Sequence, residues 1–210
     1  MKVFSKLLDK LGALSLVQKP TKTKNVAEKE NINLVVDENG VRSAGHQYVD
    51  LGLSVYWATM NVGAKYDYEY GKCVGWGSDR SGWIEKKYIV NTRHGRPDYL
   101  TTLLPEDDAA HCSMGGDWRM PMVEEMTELV EKCSWQAVLI NHAIPAYQVT
   151  GPNGNSILLS QQDLWTSSLY RQDQQAYCLV FGYGGPRIQS EFRWSEKYVR
   201  GVLDKATAER

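Results

Sequence analysis

The chain has 210 residues, of which 42% are apolar and 23% charged, a balance that supports a folded core and excludes a largely disordered protein. Lys and Arg number 24 against 25 Asp and Glu, so the net charge of −1 offers no electrostatic reason for nucleic acid or an anionic membrane to be the main partner. No apolar run approaches the roughly 20 residues that cross a bilayer, so no membrane span is expected.

In residues 1–18, Val3, Phe4, Leu7, Leu8, Leu11 and Leu14 recur at helical spacing with Lys2, Lys6, Asp9 and Lys10 on the other side. The pattern predicts an amphipathic helix. Alone in water such a helix is marginal, so its apolar stripe needs a partner: the core domain, another copy of the chain, or a larger assembly. An assembly contact through Phe4, Leu7, Leu8 and Leu11 is the reading adopted. Lys6, Asp9 and Lys10 also interrupt what a signal peptide would keep apolar, so export by that route is not expected. Residues 19–43 are polar and aperiodic and read as a tether. No Trp or Tyr precedes Tyr48, whereas all 7 Trp and 12 Tyr lie from Tyr48 onward. That shift places a core domain at residues 44–203, with 204–210 as a tail.

Within the core domain, the run from Tyr48 to Ala58 reads as strand segments around Gly52, and Gln175 to Phe181 reads as a second β-rich run, expected in the same sheet. Pro105, Glu106, Asp107 and Asp108 fit the first turn of a helix, where carboxylates cap amides and complement the dipole. Pro121 is expected to open the strongest helix, with Met122, Val123, Met126, Leu129, Val130 and Cys133 facing the core and Glu124, Glu125, Glu128 and Glu131 facing out. Gly151-Pro152-Asn153-Gly154-Asn155 is a turn that makes a hairpin of Tyr147–Thr150 and Ser156–Leu159. The class is α+β: a small mixed, mostly antiparallel sheet with two helices and long loops.

Chemistry is hard to find in this pattern. Cys73, Cys112, Cys133 and Cys178 form no C-x-x-C pair, and Cys133 and Cys178 sit in apolar patterns, which favours reduced structural thiols over the three possible disulfide pairings. His111 and Cys112 are adjacent, which in a strand would point them apart. His46, His94, His111 and His142 lack the short spacings of a local zinc site, Asp107 and Asp108 lack the alternation of a calcium loop, and Gly115–Arg119 lacks the ending of a phosphate loop. Gly115–Arg119 instead reads as a structural turn anchored by a buried Trp118. No catalytic residue, metal or cofactor is expected. The last third instead concentrates rings and guanidinium groups: Tyr170, Arg171, Asp173, Tyr183, Arg187, Gln189, Phe192, Arg193 and Trp194 are the candidate ligand-binding residues, of the types that dominate recognition surfaces. The competing reading makes Trp165, Tyr177 and Phe181 core and the remainder ordinary polar surface.

The segments from His46 to Ala64, Glu69-Tyr70-Gly71 with Gly75-Trp76-Gly77, Gly115 to Pro121 with its helix, Tyr147 to Ser156, Trp165-Thr166-Ser167-Ser168 and Tyr198-Val199-Arg200 together resemble the Fibrobacter succinogenes major paralogous domain. The resemblance covers about 160 residues in order. It implies a C-type-lectin-like fold, in which the Trp and Gly motifs hold a display scaffold and the stretch between Trp165-Thr166-Ser167-Ser168 and Tyr198-Val199-Arg200 carries an exposed binding face. The family is abundant in Bacteroidetes and their phages. Ser160–Leu164 here replaces a longer insertion common in the family, which implies a shallower site, and the sugar and calcium signatures of true C-type lectins are absent, as is the cysteine pair of formylglycine-generating enzymes.

The expectation is therefore a non-enzymatic binding and display domain on a phage virion, as fibre, decoration or tail protein, assembled in the host cytoplasm. Its partners would be other virion proteins through the N-terminal helix and a host surface glycan or protein through the C-terminal loops, with the chain a homo-oligomer. Two alternatives stand beside it: a purely structural virion subunit, and a binding protein of the bacterial cell surface.

Overall fold

A computed structural model describes residues 46–78, 100–171 and 174–208. The expected N-terminal helix, with Phe4, Leu7, Leu8 and Leu11, and the tether lie outside the described residues. Among the described residues, the pairs between strands are all antiparallel and fall into four small sheets, beside one isolated parallel bridge between Leu164 and Tyr198. Tyr48–Asp50 (β1), Val55–Asn61 (β2) and Arg200–Asp204 (β11) form the first, in the order β1-β2-β11. Val74–Gly75 (β3) pairs with Glu196–Lys197 (β10). Ser134–Ile140 (β4), Ile144–Thr150 (β5) and Ser156–Ser160 (β6) form the third sheet, and Leu164–Tyr170 (β7), Gln175–Gly182 (β8) and Gly185–Phe192 (β9) the fourth. The helices are short: Ala109–Met114 (α1), Val123–Lys132 (α2) and Lys205–Ala208 (α3). The mixed, strand-rich α+β class is as expected. The single sheet is not, because the runs at Tyr48 and at Gln175 belong to different sheets.

Alternation along β2 explains why two cores form. Val55 and Trp57 enter one cluster with Leu51, Met126, Leu129, Ile157, Leu159, Leu179 and Val202, whereas Ala58 and Val62 enter another with Trp76, Met114, Trp118, Met120, Trp165 and Val199. Trp57, Trp118 and Trp165 are fully buried, and truncating any one to Ala would cost about 3–5 kcal/mol. The indole N–H groups of Trp165 and Trp76 donate to the carbonyls of Val74 at 3.0 Å and Thr166 at 2.7 Å, so these rings are buried without an orphaned donor.

The helices depart from expectation for local reasons. The stretch from Pro105 is a 3-10 turn, Pro105–Asp107, and α1 starts after it, capped by Asp108, whose Oδ1 accepts from the amides of Ala110 at 2.8 Å and His111 at 3.0 Å. Its Oδ2 accepts from Met120 N at 2.8 Å, and burial pushes this carboxyl up despite the amide bonds. In α2, Met126 and Leu129 are buried as expected, but Met122 is exposed and Glu125 is buried. Glu125 turns inward because Arg119 forks its carboxylate at 2.8 and 2.6 Å, while its Oε2 also accepts from Met122 N at 2.7 Å. The helix starts at Val123, whose amide donates to Ser168 Oγ at 3.0 Å.

The expected hairpin is present, with its turn pressed onto the β1–β2 turn. Asn153 and Asn155 side chains donate to Asp50 O at 2.9 and 2.8 Å, and a Cβ at Gly151 would overlap the carbonyl of Leu51. Only glycine permits that approach. At the chain's end, residues read as a tail are packed: Lys205 Nζ reaches Asp50 Oδ1 at 2.9 Å and lies 5.1 Å from the Tyr56 ring.

Arg200 joins these layers. It is fully buried, and its guanidinium donates to Asn61 Oδ1 at 2.8 Å, Ala58 O at 2.9 Å and Leu158 O at 2.9 Å, linking β11, β2 and β6. Replacing Arg200 by Met should strand three buried acceptors at about 1–3 kcal/mol each. Urea unfolding should show a loss of at least about 3 kcal/mol; a loss below about 1 kcal/mol would contradict this role.

Candidate functional site

The register of the β7-β8-β9 sheet assembles a group of rings at one end. Tyr170 pairs with Gln175, and Gln175 with Phe192, so these three side chains form a row on one face. Tyr177 and Ser190 lie two residues further along the same face. The rings of Tyr170 and Tyr177 meet edge to face at 5.1 Å, and the Arg171 guanidinium sits 5.5 Å from the Tyr170 centroid. Ser190 Oγ and Gln175 Oε1 are 3.1 Å apart. A turn closed by Ser195 N on Phe192 O, at 2.9 Å, folds Trp194 back onto Phe192, with centroids 4.4 Å apart and planes 12° from parallel. Beyond this group the same face is covered, since Leu179 and Ile188 pack into the second core. Phe192 remains 40% exposed.

Of the residues expected to bind ligand, Tyr170, Arg171, Phe192 and Trp194 are thus brought together. Asp173 lies outside the described residues. Tyr183 is fully exposed at the β8–β9 hairpin tip, eight residues along the chain from Gln175 of the row, about 25 Å away. Arg187 and Gln189 stand on the opposite face, across from Val180 and Cys178. There they engage each other: the Arg187 guanidinium fills the space a Cβ at Gly182 would take, and Gln189, with its amide oxygen turned toward it, accepts from Arg187 Nε at 2.8 Å.

Arg193 requires a correction. It is 5% exposed, and its guanidinium stacks 4.5 Å from the Trp76 ring centre. Successive side chains of the turn point apart, so Phe192 and Trp194 face out and Arg193 inward, where a weakly hydrated planar cation tolerates an indole face. Its backbone completes a clamp, with Trp76 N donating to Arg193 O and Arg193 N donating to Gln174 O, both at 3.0 Å. Arg193 is therefore packed beneath the turn, on the side away from Phe192 and Trp194.

Two features escaped the sequence reading. Tyr177 joins the exposed face, and only its pairing with Ser190, two positions from the Gln175–Phe192 pair, reveals this. A second aromatic surface runs along residues 65–72, where the Tyr66 and Tyr68 rings are parallel at 5.5 Å and Tyr70 meets Tyr198 at 5.9 Å. The alternation of Tyr66, Tyr68 and Tyr70 was its available signal. Tyr198 also borders a cleft of about 310 Å³ with Gln162, Phe181, Glu196 and the ion pair of Lys197 with Asp163 at 2.9 Å.

The thiols show no nucleophile geometry. None of the four cysteines is in a disulfide. Cys112 lies on α1, its Sγ 3.3 Å from Glu106 O and 3.6 Å from Pro105 O. Burial pushes Cys133 up to about 11 and Cys178 to about 12. Among the described residues, no group of His, Cys, Asp and Glu could hold a metal ion. No helix among them is long and apolar enough to cross a membrane.

No family model, curated protein or solved structure matches the chain.

Two outcomes follow from this geometry. Arg193→Ala should lower the unfolding free energy by about 1–3 kcal/mol, whereas Tyr183→Ala should stay within about 0.5 kcal/mol; equal, small effects would place Arg193 at the surface. A thiolate-selective reagent at pH 8 should label Cys112 in the folded protein and reach Cys133 and Cys178 only on unfolding, because thiols raised this far are almost wholly protonated there. Uniform labelling of all four would refute that.

Proposed function

We propose that the chain is a non-enzymatic binding and display domain of the C-type-lectin-like type it resembles, carried on a virion as a fibre, decoration or tail component and contacting a host surface glycan. The observation that carries this reading is the ring group of Tyr170, Tyr177, Phe192 and Trp194 at the Tyr170 end of the β7-β8-β9 face, with Arg171, Gln175 and Ser190 in reach. A pyranose presents one apolar C–H face and a rim of hydroxyls. Aromatic rings cover the first, and amide, hydroxyl and guanidinium groups bond the second.

The placement of the family-like motifs supports the scaffold half of the proposal. Trp57, Trp118, Trp165 and Arg200, all within the quoted motifs, are fully buried, as a frame-holding role requires. The N-terminal apolar stripe of Phe4, Leu7, Leu8 and Leu11 would attach the domain to other virion proteins.

Binding of the labelled full chain to intact Bacteroidetes cells tests this. Tyr170→Ala and Trp194→Ala should each weaken binding about tenfold or more, and Tyr183→Ala and Arg187→Ala less than about twofold. Absence of binding by the parent chain, or losses confined to Tyr183 and Arg187, would overturn the proposal.

A further inference from the structure

Residues 133–162 are thirty consecutive positions without Asp, Glu, Lys or Arg, in a chain 23% charged. They contain the whole β4-β5-β6 sheet. Its two edges differ. The β6 edge is held inward, because Leu158 O accepts from Arg200 and Ser160 Oγ from Asn61 Nδ2. The β4 edge has no such cover: among the described residues its only strand partner is β5.

Other sheet edges carry the devices that stop strands from adding. The β9 edge has Pro186, Arg187 and Glu191, β1 is three residues long and ends in Asp50, and β7 takes bridges from Thr102 and Tyr198. In contrast, β4 runs seven residues in unbroken register with β5, with no proline and no charge. At its end Leu139 is 64% exposed, on the same face as Trp135 and Ala137. A long, regular, neutral edge with apolar side chains is a template for another strand.

We propose that β4 pairs antiparallel with β4 of a second copy of this chain, about a two-fold axis at Ala137, giving a continuous six-stranded sheet. The occupant is argued from the strand's own register. Centred on Ala137, Trp135 stands opposite the second copy's Leu139, and Ala137 opposite its counterpart. The exposed Leu139 thereby meets the half-buried Trp135, and the exposed Ala137 meets its counterpart, apolar against apolar along that face. Gln136 meets Val138 and Ser134 meets Ile140, so no two like charges are opposed anywhere along the strand. The pairing is isologous and closes, as a stable homodimer requires.

The test uses the full chain with the exposed Cys112 changed to Ser. In this background Ala137→Cys should form a disulfide-linked dimer under mild oxidation, because directly opposed Cα atoms lie about 4.5–5.5 Å apart, within disulfide reach. Ser134→Cys should not, since its counterpart would sit six residues away, about 20 Å. In sedimentation, Leu139→Glu and Ala137→Lys, both at exposed positions, should abolish the same association step while the unfolding midpoint stays unchanged. The proposal is overturned if the parent chain is monomeric throughout the micromolar range, if Ala137→Cys does not cross-link, if Ser134→Cys cross-links equally, or if the association survives both charged variants.

Discussion

A guanidinium with no carboxylate among its hydrogen-bond partners in the described residues joins two sheets of this fold. Taking a cation out of water costs several kcal/mol unless strong hydrogen bonds replace the lost hydration. Arg200 meets that condition with Asn61 Oδ1 and two main-chain carbonyls, Ala58 O and Leu158 O. Burial pulls its pKa below the ordinary arginine range, with the charge of Asp67 opposing the shift. The planar fork of arginine reaches two sheets at once, which a lysine ammonium does not. Asn61 extends the network, its amide donating to Tyr70 O at 2.8 Å and to Ser160 Oγ at 3.5 Å. One side chain thus fixes β11 against β2, β2 against β6, and the aromatic loop of Tyr66–Tyr70 against both.

The proposed binding face depends on that frame indirectly. Strand β7 leaves it beside Tyr198, where Trp165 N donates to Tyr198 O at 2.9 Å and the Trp165 indole donates to Val74 O. From there β7 runs outward to Tyr170, so the rings occupy the end of a sheet anchored at its other positions in both cores. The clamp of Trp76 on Thr166 and Arg193 fixes the turn that presents Phe192 and Trp194. Rings held this way lose little freedom on meeting a ligand, and preorganisation of that kind turns contact area into affinity.

What could be read from the residues alone was mostly local. The Gly151–Asn155 turn, the buried Met126 and Leu129 of α2 and the buried Trp118 follow from turn chemistry, helical spacing and ring size. The sheet assignments did not, because β2 takes the distant β11 as a partner while β8 pairs only with its sequence neighbours β7 and β9, and nothing local says that the two runs part company. Register also separated the candidate residues. Arg187 and Gln189 alternate with Ile188 on β9, and no composition argument says which face each takes. Arg193 and Glu125 were misread as surface because a charge normally marks solvent; both are buried, Arg193 against the Trp76 indole and Glu125 against the Arg119 guanidinium. The neutral run 133–162 was plain in the sequence, but its meaning required knowing that β4 is an edge.

The central claim is that the frame is inert and recognition is confined to one end of the β7-β8-β9 sheet. Hydrogen–deuterium exchange of the full chain, with and without purified surface polysaccharide from Bacteroidetes cells, tests it directly. The account predicts slowed exchange confined to peptides covering 168–178 and 188–195, with the strands around Arg200 already protected in both states. Slowing at the 65–72 loop or at the cleft beside Tyr198 in place of those peptides, or no slowing anywhere, would contradict it.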